Sequence, residues 1–126
     1  MKVSLVMPTI NVTTELELFL KSLKTQTYRD FELIVVDQNE GNEVFEIVKN
    51  YEEEFKIKYA KSDEKGLSLN RNRGLVLMEG EIVGFPDDDC EYQPDTLEKV
   101  VAFFEKKKDY RIYSCRTLER GKTYGT

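Results

Sequence analysis

Histidine is absent from the 126 residues, which removes His-based triads, imidazole general bases and imidazole metal sites together. Any chemistry therefore runs on carboxylates, amides, hydroxyls, Lys or Arg. Cysteine is scarce: Cys90 and Cys115 are too few for a thiolate zinc site, and a chain of this size can bury a core without a disulfide framework. Both are expected to be reduced thiols of a cytoplasmic protein. No apolar run is long enough to span a bilayer. The run from Met1 to Met7 stops at Pro8 and lacks the length and small-residue cleavage site of a secretory signal, so it is expected to be a first strand. Long basic stretches are missing too. With 19 Lys and Arg against 24 Asp and Glu, the net charge is -5, which argues against a nucleic-acid partner. Local positive charge can still meet a phosphate.

What is present suits one soluble domain, with 40% hydrophobic and 34% charged residues in a length typical of a single cooperative unit. Strand and helix signals alternate along it. Val3 to Met7 is a β-rich run. Leu16, Phe19, Leu20 and Leu23 then form a helical stripe, with Thr14 and Glu17 spaced as a capping box. Phe31 to Val36 is almost continuously apolar and ends at Asp37, the pattern of a central parallel strand covered on both faces. Val44, Val48, Tyr51 and Phe55 suggest a second helix, and Lys56 to Tyr59 a third strand.

Gly66-Leu67-Ser68 has the character of a turn and N-cap opening a third helix through Met78, ended by Gly80. Ile82 to Phe85 is a fourth strand stopped by Pro86. Pro94 and Asp95 open a fourth helix with Leu97, Val100, Val101 and Phe104 on one stripe, and Arg111 to Cys115 suggest a fifth strand. The order βαβαβαβαβ implies an α/β fold, a mostly parallel Rossmann-like sheet with helices on both faces. The runs Glu52 to Glu54 and Lys106 to Lys108 fit solvated helix ends, the lysines favoured by the helix dipole.

In open α/β sheets, ligands bind outside the carboxyl ends of the strands. Those ends carry Pro8, Thr9 and Asn11, then Asp37, Gln38 and Asn39, then Asp87, Asp88 and Asp89. Three adjacent carboxylates repel one another unless solvent or a hard cation offsets the charge. A Mg²⁺ or Mn²⁺ ion held by one or two carboxylates plus substrate phosphates is one answer; an acidic turn capping the next helix is the other. Arg71 and Arg73, near the start of the third helix, could supply positive partners for a diphosphate. An EF-hand is disfavoured because Tyr92 stands where its loop needs Gly. A phosphatase Asp-x-Asp normally opens its domain, and here the motif comes late. Neither a Gly-x-Gly-x-x-Gly after the first strand nor a Walker A loop is present.

Several ordered blocks resemble family 2 glycosyltransferases: Val3 to Thr9, Ser22 to Tyr28, Asp30 to Asp37, Gly66 to Ser68, Arg71 to Gly74 and Gly80 to Asp89. Together they cover nearly the whole chain. The resemblance implies the GT-A fold, one domain over residues 1–126, a nucleotide-diphospho-sugar donor (UDP- or dTDP-sugar) and a divalent metal, Mn²⁺ or Mg²⁺. By position it implies that Pro8 and Thr9 line the nucleoside pocket, Asp37 and Gln38 meet the base, and Arg71 lies against the nucleotide. Asp89 would be the metal ligand, with Asp88 and Asp87 towards ribose or metal-bound water. Gln38 stands where the family often has Asp, and its amide oxygen could accept a pyrimidine N3–H. Ile10 replaces a frequent aromatic.

In this family the acceptor half and the catalytic base follow the Asp block, and no residue here matches that base. The expectation is a donor-binding part, weakly active or inactive alone, of an enzyme acting on a glycan or lipid-linked saccharide in polysaccharide assembly. It would work in the cytoplasm or at the inner face of the membrane. A non-catalytic nucleotide-binding or interaction module is the alternative. A sheet face left uncovered would favour a homo-oligomer.

Overall fold

The computed structural model describes residues 1–107. It alternates strand and helix as expected: β1 (Val3–Thr9), α1 (Thr14–Lys24), β2 (Phe31–Asp37), α2 (Glu43–Lys49), β3 (Lys56–Lys61), α3 (Leu67–Leu75), β4 (Ile82–Gly84) and α4 (Thr96–Lys106). The suggested fifth strand, Arg111 to Cys115, lies outside the described residues. All pairings are parallel and the strand order is β3-β2-β1-β4. The two central strands, β1 and β2, are buried at every position, as their unbroken apolar runs require. Among the described residues, no helix is long and apolar enough to cross a membrane.

Helices cover both faces unequally. Val3, Leu5 and Met7 of β1 and Phe31, Leu33 and Val35 of β2 share the larger core with α1, α2 and α4. Leu16, Phe19, Leu20 and Leu23 of α1 are fully buried there, each contributing ~1.5–3 kcal/mol. On the opposite face Val6, Ile34 and Val36 meet the end of α3 and the turn after it through Leu75 and Met78. The contact is close because Gly74 lacks a side chain. A Cβ there would stand 2.4 Å from Val6 Cγ1 and 3.3 Å from Val36 Cγ2.

Helix boundaries differ from the sequence pattern for identifiable reasons. Thr14 is the first residue of α1, and no side-chain cap forms. Glu17 instead donates its backbone N–H to Thr13 O at 3.0 Å, so the Thr14–Glu17 capping box is not made. In α3 the capping position is Gly66, with φ 142°, a conformation that suits glycine; Ser68 lies inside the helix. The helix stops at Leu75, and Leu77 and Met78 make tighter three-residue bonds back to Gly74 and Leu75. In α2, Tyr51 and Phe55 follow the helix in a turn but are still buried.

Under the segment between α3 and β4 the core is polar. Glu32, fully buried, accepts hydrogen bonds from Ser4 Oγ at 2.6 Å and the Glu79 N–H at 2.7 Å, and pairs with Lys58 Nζ at 3.0 Å. Gly80 N–H donates to Ser4 Oγ at 2.8 Å. Burial alone would raise the Glu32 carboxyl, but the bonds from Ser4, Glu79 and Lys58 outweigh it and hold it below its ordinary value. Lys58 and Lys56 draw the exposed Glu79 carboxyl down to about 2.

Two predictions follow from these contacts. Glu32→Ala strands the Ser4 hydroxyl, the Glu79 amide and Lys58, and is expected to cost about 3–5 kcal/mol in urea unfolding, well beyond Glu79→Ala. Because both carboxyls titrate lower folded than unfolded, their stabilisation is complete above the ordinary value of 4.5 and is lost as pH falls below it, for Glu79 towards about 2. The acid limb of stability should therefore be shallower in Glu32→Gln; an unchanged limb would refute the assignment. Gly74→Ala forces α3 off the sheet and should cost about 1–3 kcal/mol, seen as a lowered midpoint with unchanged secondary structure.

Candidate functional site

The carboxyl ends of β1, β2 and β4 open on one side of the sheet, where α/β folds receive ligands. A cavity of about 280 Å³ lies there on the α3 face. Pro8 and Ile10 form its floor at the end of β1. Gln38, Lys65, Gly66 and Leu67 line it from the β2 and α3 side, and Pro86, Asp87 and Asp88 from the β4 side. Pro8, Gln38, Asp87 and Asp88, four of the residues singled out in the sequence, thus meet at one cavity.

Strand alternation separates the others from it. Pro8 shares the α3 face with Val6, whereas Thr9 shares the opposite face with Leu5 and Met7 and is fully buried. Thr9 reaches the site only through its backbone, its carbonyl accepting the Gln38 N–H at 3.0 Å. Asp37 is also fully buried. Its carboxylate accepts from the Asn39 N–H and Asn39 Nδ2, both at 2.9 Å, from Tyr59 OH, and from Lys61 Nζ at 3.4 Å. With four donors the acid is saturated, and it shapes the β2 loop instead of lining the cavity. Burial, then the adjacent Asp37, raises the Tyr59 phenol, which stays protonated as a donor.

Gln38 is held by α3. Its Oε1 accepts from the Gly66 N–H and from Asn70 Nδ2, each at 3.0 Å. Asn70 Nδ2 also contacts Gly66 O at 2.8 Å and Glu64 O at 3.0 Å. The fully buried Asn70 is therefore the joint between β2 and α3. Arg73 is occupied elsewhere, bonding Ser62 Oγ and Glu64 Oε1. Arg71 lies over the Phe85 ring, its Cζ 5.3 Å from the centroid, just before the acidic turn. Arg71 Nε, Asn70 Oδ1 and Thr9 Oγ1 are buried without a hydrogen-bond partner among the described residues, and all three belong to this end of the sheet or to α3.

The acidic turn is fixed from two sides. Asp88 Oδ2 accepts the Ile10 N–H at 3.2 Å, tying β4 to the β1 loop. The following loop is gripped by the end of α1. Phe19 and Tyr92 stack edge to face at 5.2 Å, and Ser22 Oγ accepts the Tyr92 N–H at 3.1 Å. Gln26 donates to Gln93 O at 2.7 Å and accepts the Leu97 N–H at 3.1 Å, capping α4. Asp87 and Asp89 are exposed, and their carboxylates have no hydrogen bond or ion pair among the described residues.

No three acidic or cysteine side chains converge as a ready-made metal set among the described residues. A hard cation completed by diphosphate oxygens needs only one or two carboxylates, and the open acids of this turn fit that demand. Cys90 donates its thiol to Asp87 O at 3.0 Å; burial first, then the Asp87 charge, pushes it up to about 11.

Asn70, Lys65 and Gln26 were not singled out in the sequence. A polar residue four positions after Gly66 in a helix with little apolar patterning was the available sign for Asn70; for Gln26 it was its place inside the Ser22 to Tyr28 block, and Lys65 carried none. A second cavity of about 410 Å³, lined by Asn11, Asn39, Glu40 and Glu43 among others, gathers none of the residues expected at the nucleotide or metal.

Residues 4–124 match the family described as Glycosyl transferase family 2. The chain is 37% identical over 103 residues to the Campylobacter jejuni GalNAc(5)-diNAcBac-PP-undecaprenol beta-1,3-glucosyltransferase, covering 79% of this chain and 33% of that one. It is 36% identical over 98 residues to Glycosyltransferase GlyA of Streptococcus pneumoniae, covering 77% and 14%. The structure of S. aureus TarS 1-349 in complex with UDP-GlcNAc superposes with a TM-score of 0.80 and 30% identity, over 86% of this chain and 32% of that one. The chain thus spans about a third or less of each of these relatives.

The Cys90 environment predicts slow chemistry. At about pH 8 its alkylation by iodoacetamide, followed site by site by mass spectrometry, should be about tenfold or more slower than that of a free thiol. A rate matching the free thiol would contradict the half-buried, Asp87-facing geometry.

Proposed function

Since the chain belongs to glycosyl transferase family 2, we propose that its cavity binds the nucleotide-diphospho part of a sugar donor in a metal-dependent way. The observation carrying this reading is the meeting of Gln38 and Lys65 at one end of the cavity with Asp87 and Asp88 at the other. Across the sheet these ends are separated by β1, about two strand spacings or ~10 Å. One ligand with unlike ends suits such a site. The likeness to TarS in complex with UDP and with UDP-GlcNAc supports the same reading.

In this reading the base lies against Pro8, Gln38 and Leu67, while Arg71 flanks the nucleotide from its seat on Phe85. Asp37 and Thr9 hold the β1 and β2 ends from beneath. Asp88, anchored on Ile10, faces the ribose or metal-bound water together with Asp87, and Asp89 holds the metal. Mg²⁺ or Mn²⁺, when bound, would neutralise the diphosphate and stabilise it as a leaving group. The acceptor class is a saccharide hydroxyl, on a glycan or a lipid-linked saccharide. None of the residues at this cavity is assigned as the base that takes the acceptor proton, and transfer by these 126 residues alone is proposed to be weak.

Calorimetry with UDP, dTDP and GDP tests this. Binding should weaken about tenfold or more when Mn²⁺ is withheld or Asp89 is changed to Ala. Binding indifferent to both would sink the donor-site reading.

A further inference from the structure

The Gln38 amide has its polarity fixed by its neighbours. Its oxygen accepts the backbone N–H of Gly66, a donor that cannot change sides, and the Nδ2 of Asn70, each at 3.0 Å. Asn70 cannot turn over either, because its Nδ2 sits among the carbonyls of Gly66 and Glu64 as well, and an oxygen in its place would face three acceptors. An amide oxygen has two lone pairs; one meets the Gly66 N–H and the other Asn70 Nδ2, whose two hydrogens are shared among Gln38 Oε1, Gly66 O and Glu64 O, so the oxygen of Gln38 is turned to α3 on both sides. The group left for the cavity is Nε2, which donates to no described residue while Gln38 borders the cavity beside Lys65. Both groups are donors. This wall of the cavity therefore offers hydrogens and no side-chain acceptor.

We infer that the site holds its base through a carbonyl oxygen accepting from Gln38 Nε2, and not through a ring N3–H donated to Gln38. The inference rests on the nucleotide-binding reading and reverses the hydrogen-bond direction that the sequence suggested. A ring N3–H aimed at Gln38 would set donor against donor, and a buried donor without an acceptor weakens binding. Uracil and thymine escape the conflict by sliding one ring atom, since a carbonyl flanks N3 on each side. Their keto edge is the ligand class this wall selects.

The test compares UDP with its N3-methylated analogue by calorimetry in Mn²⁺, for the wild type and for Gln38→Glu. The substitution keeps one oxygen for Gly66 and Asn70 and turns the cavity-facing atom from donor to acceptor, and thermal unfolding verifies that the fold is retained. Any steric cost of the methyl group is common to both proteins, so the readout is the change in methylation penalty. The penalty should rise by about tenfold or more from wild type to Gln38→Glu, because only the variant can accept N3–H. Equal penalties, or a larger one in the wild type, would overturn the inference. Absence of UDP binding to the wild type would instead sink the nucleotide reading on which it stands.

Discussion

The site depends on how closely α3 lies against the sheet. Gly66, Asn70 and Gly74 are spaced four apart and so share one side of the helix. At Gly74 the missing side chain admits Val6 and Val36, and one turn earlier the helix meets Gln38 through Asn70. At its start, Gly66 turns its N–H onto the same Gln38 oxygen. A single larger residue at Gly74 would lift the helix and loosen both amide contacts. The orientation of a cavity-lining side chain is thus set about two helical turns from where the packing constraint acts.

The opposite wall has a different support. Asp87 to Asp89 follow a strand of only three residues, too short to fix a turn by backbone pairing alone. Rigidity comes from Asp88 on the Ile10 N–H and from Phe19 and Ser22 of α1 with Gln26 just beyond it, which grip the loop after the acids. Repulsion among adjacent acids would favour spreading them. Anchoring one carboxylate on a backbone donor lets the turn keep its shape while Asp87 and Asp89 stay open to solvent. That division fits a site whose counter-charge arrives with the ligand.

The sequence was most legible where burial is apolar. The unbroken runs of β1 and β2 and the stripe of α1 give their elements and their place in the core, and the family blocks covered both ends of the cavity. Polar joints were not legible, because Gln26 and Asn70 look like surface amides until their distant partners are known. Remote amides also serve the helix starts: Gln38 Oε1 takes the Gly66 N–H before α3 and Gln26 Oε1 the Leu97 N–H in α4, where local caps were expected to act. Strand parity accounts for the remaining difference. Pro8 and Thr9, like Asp37 and Gln38, are neighbours in the chain but face opposite sides of the sheet, so adjacency at a strand end does not mean sharing a cavity.

Two polar clusters lie on the α3 face, and comparing them separates folding from function. Ser4, Glu32, Lys58 and Glu79, near the start of the strands, form a linked set in which the buried carboxylate takes two hydrogen bonds on Oε2 and the Lys58 ion pair on Oε1. Opening it would strand a buried charge, so its chemistry is spent on holding the α3 to β4 connection. Gln38, Lys65, Asp87 and Asp88, at the strand ends, make no hydrogen bond or ion pair with one another; each is fixed by the backbone or by α3, or stands free. One end thus spends its polar groups on one another, while the other leaves donors across from acids with no bond between them among the described residues. The width of that gap, one central strand, is what gives the cavity two chemically distinct ends.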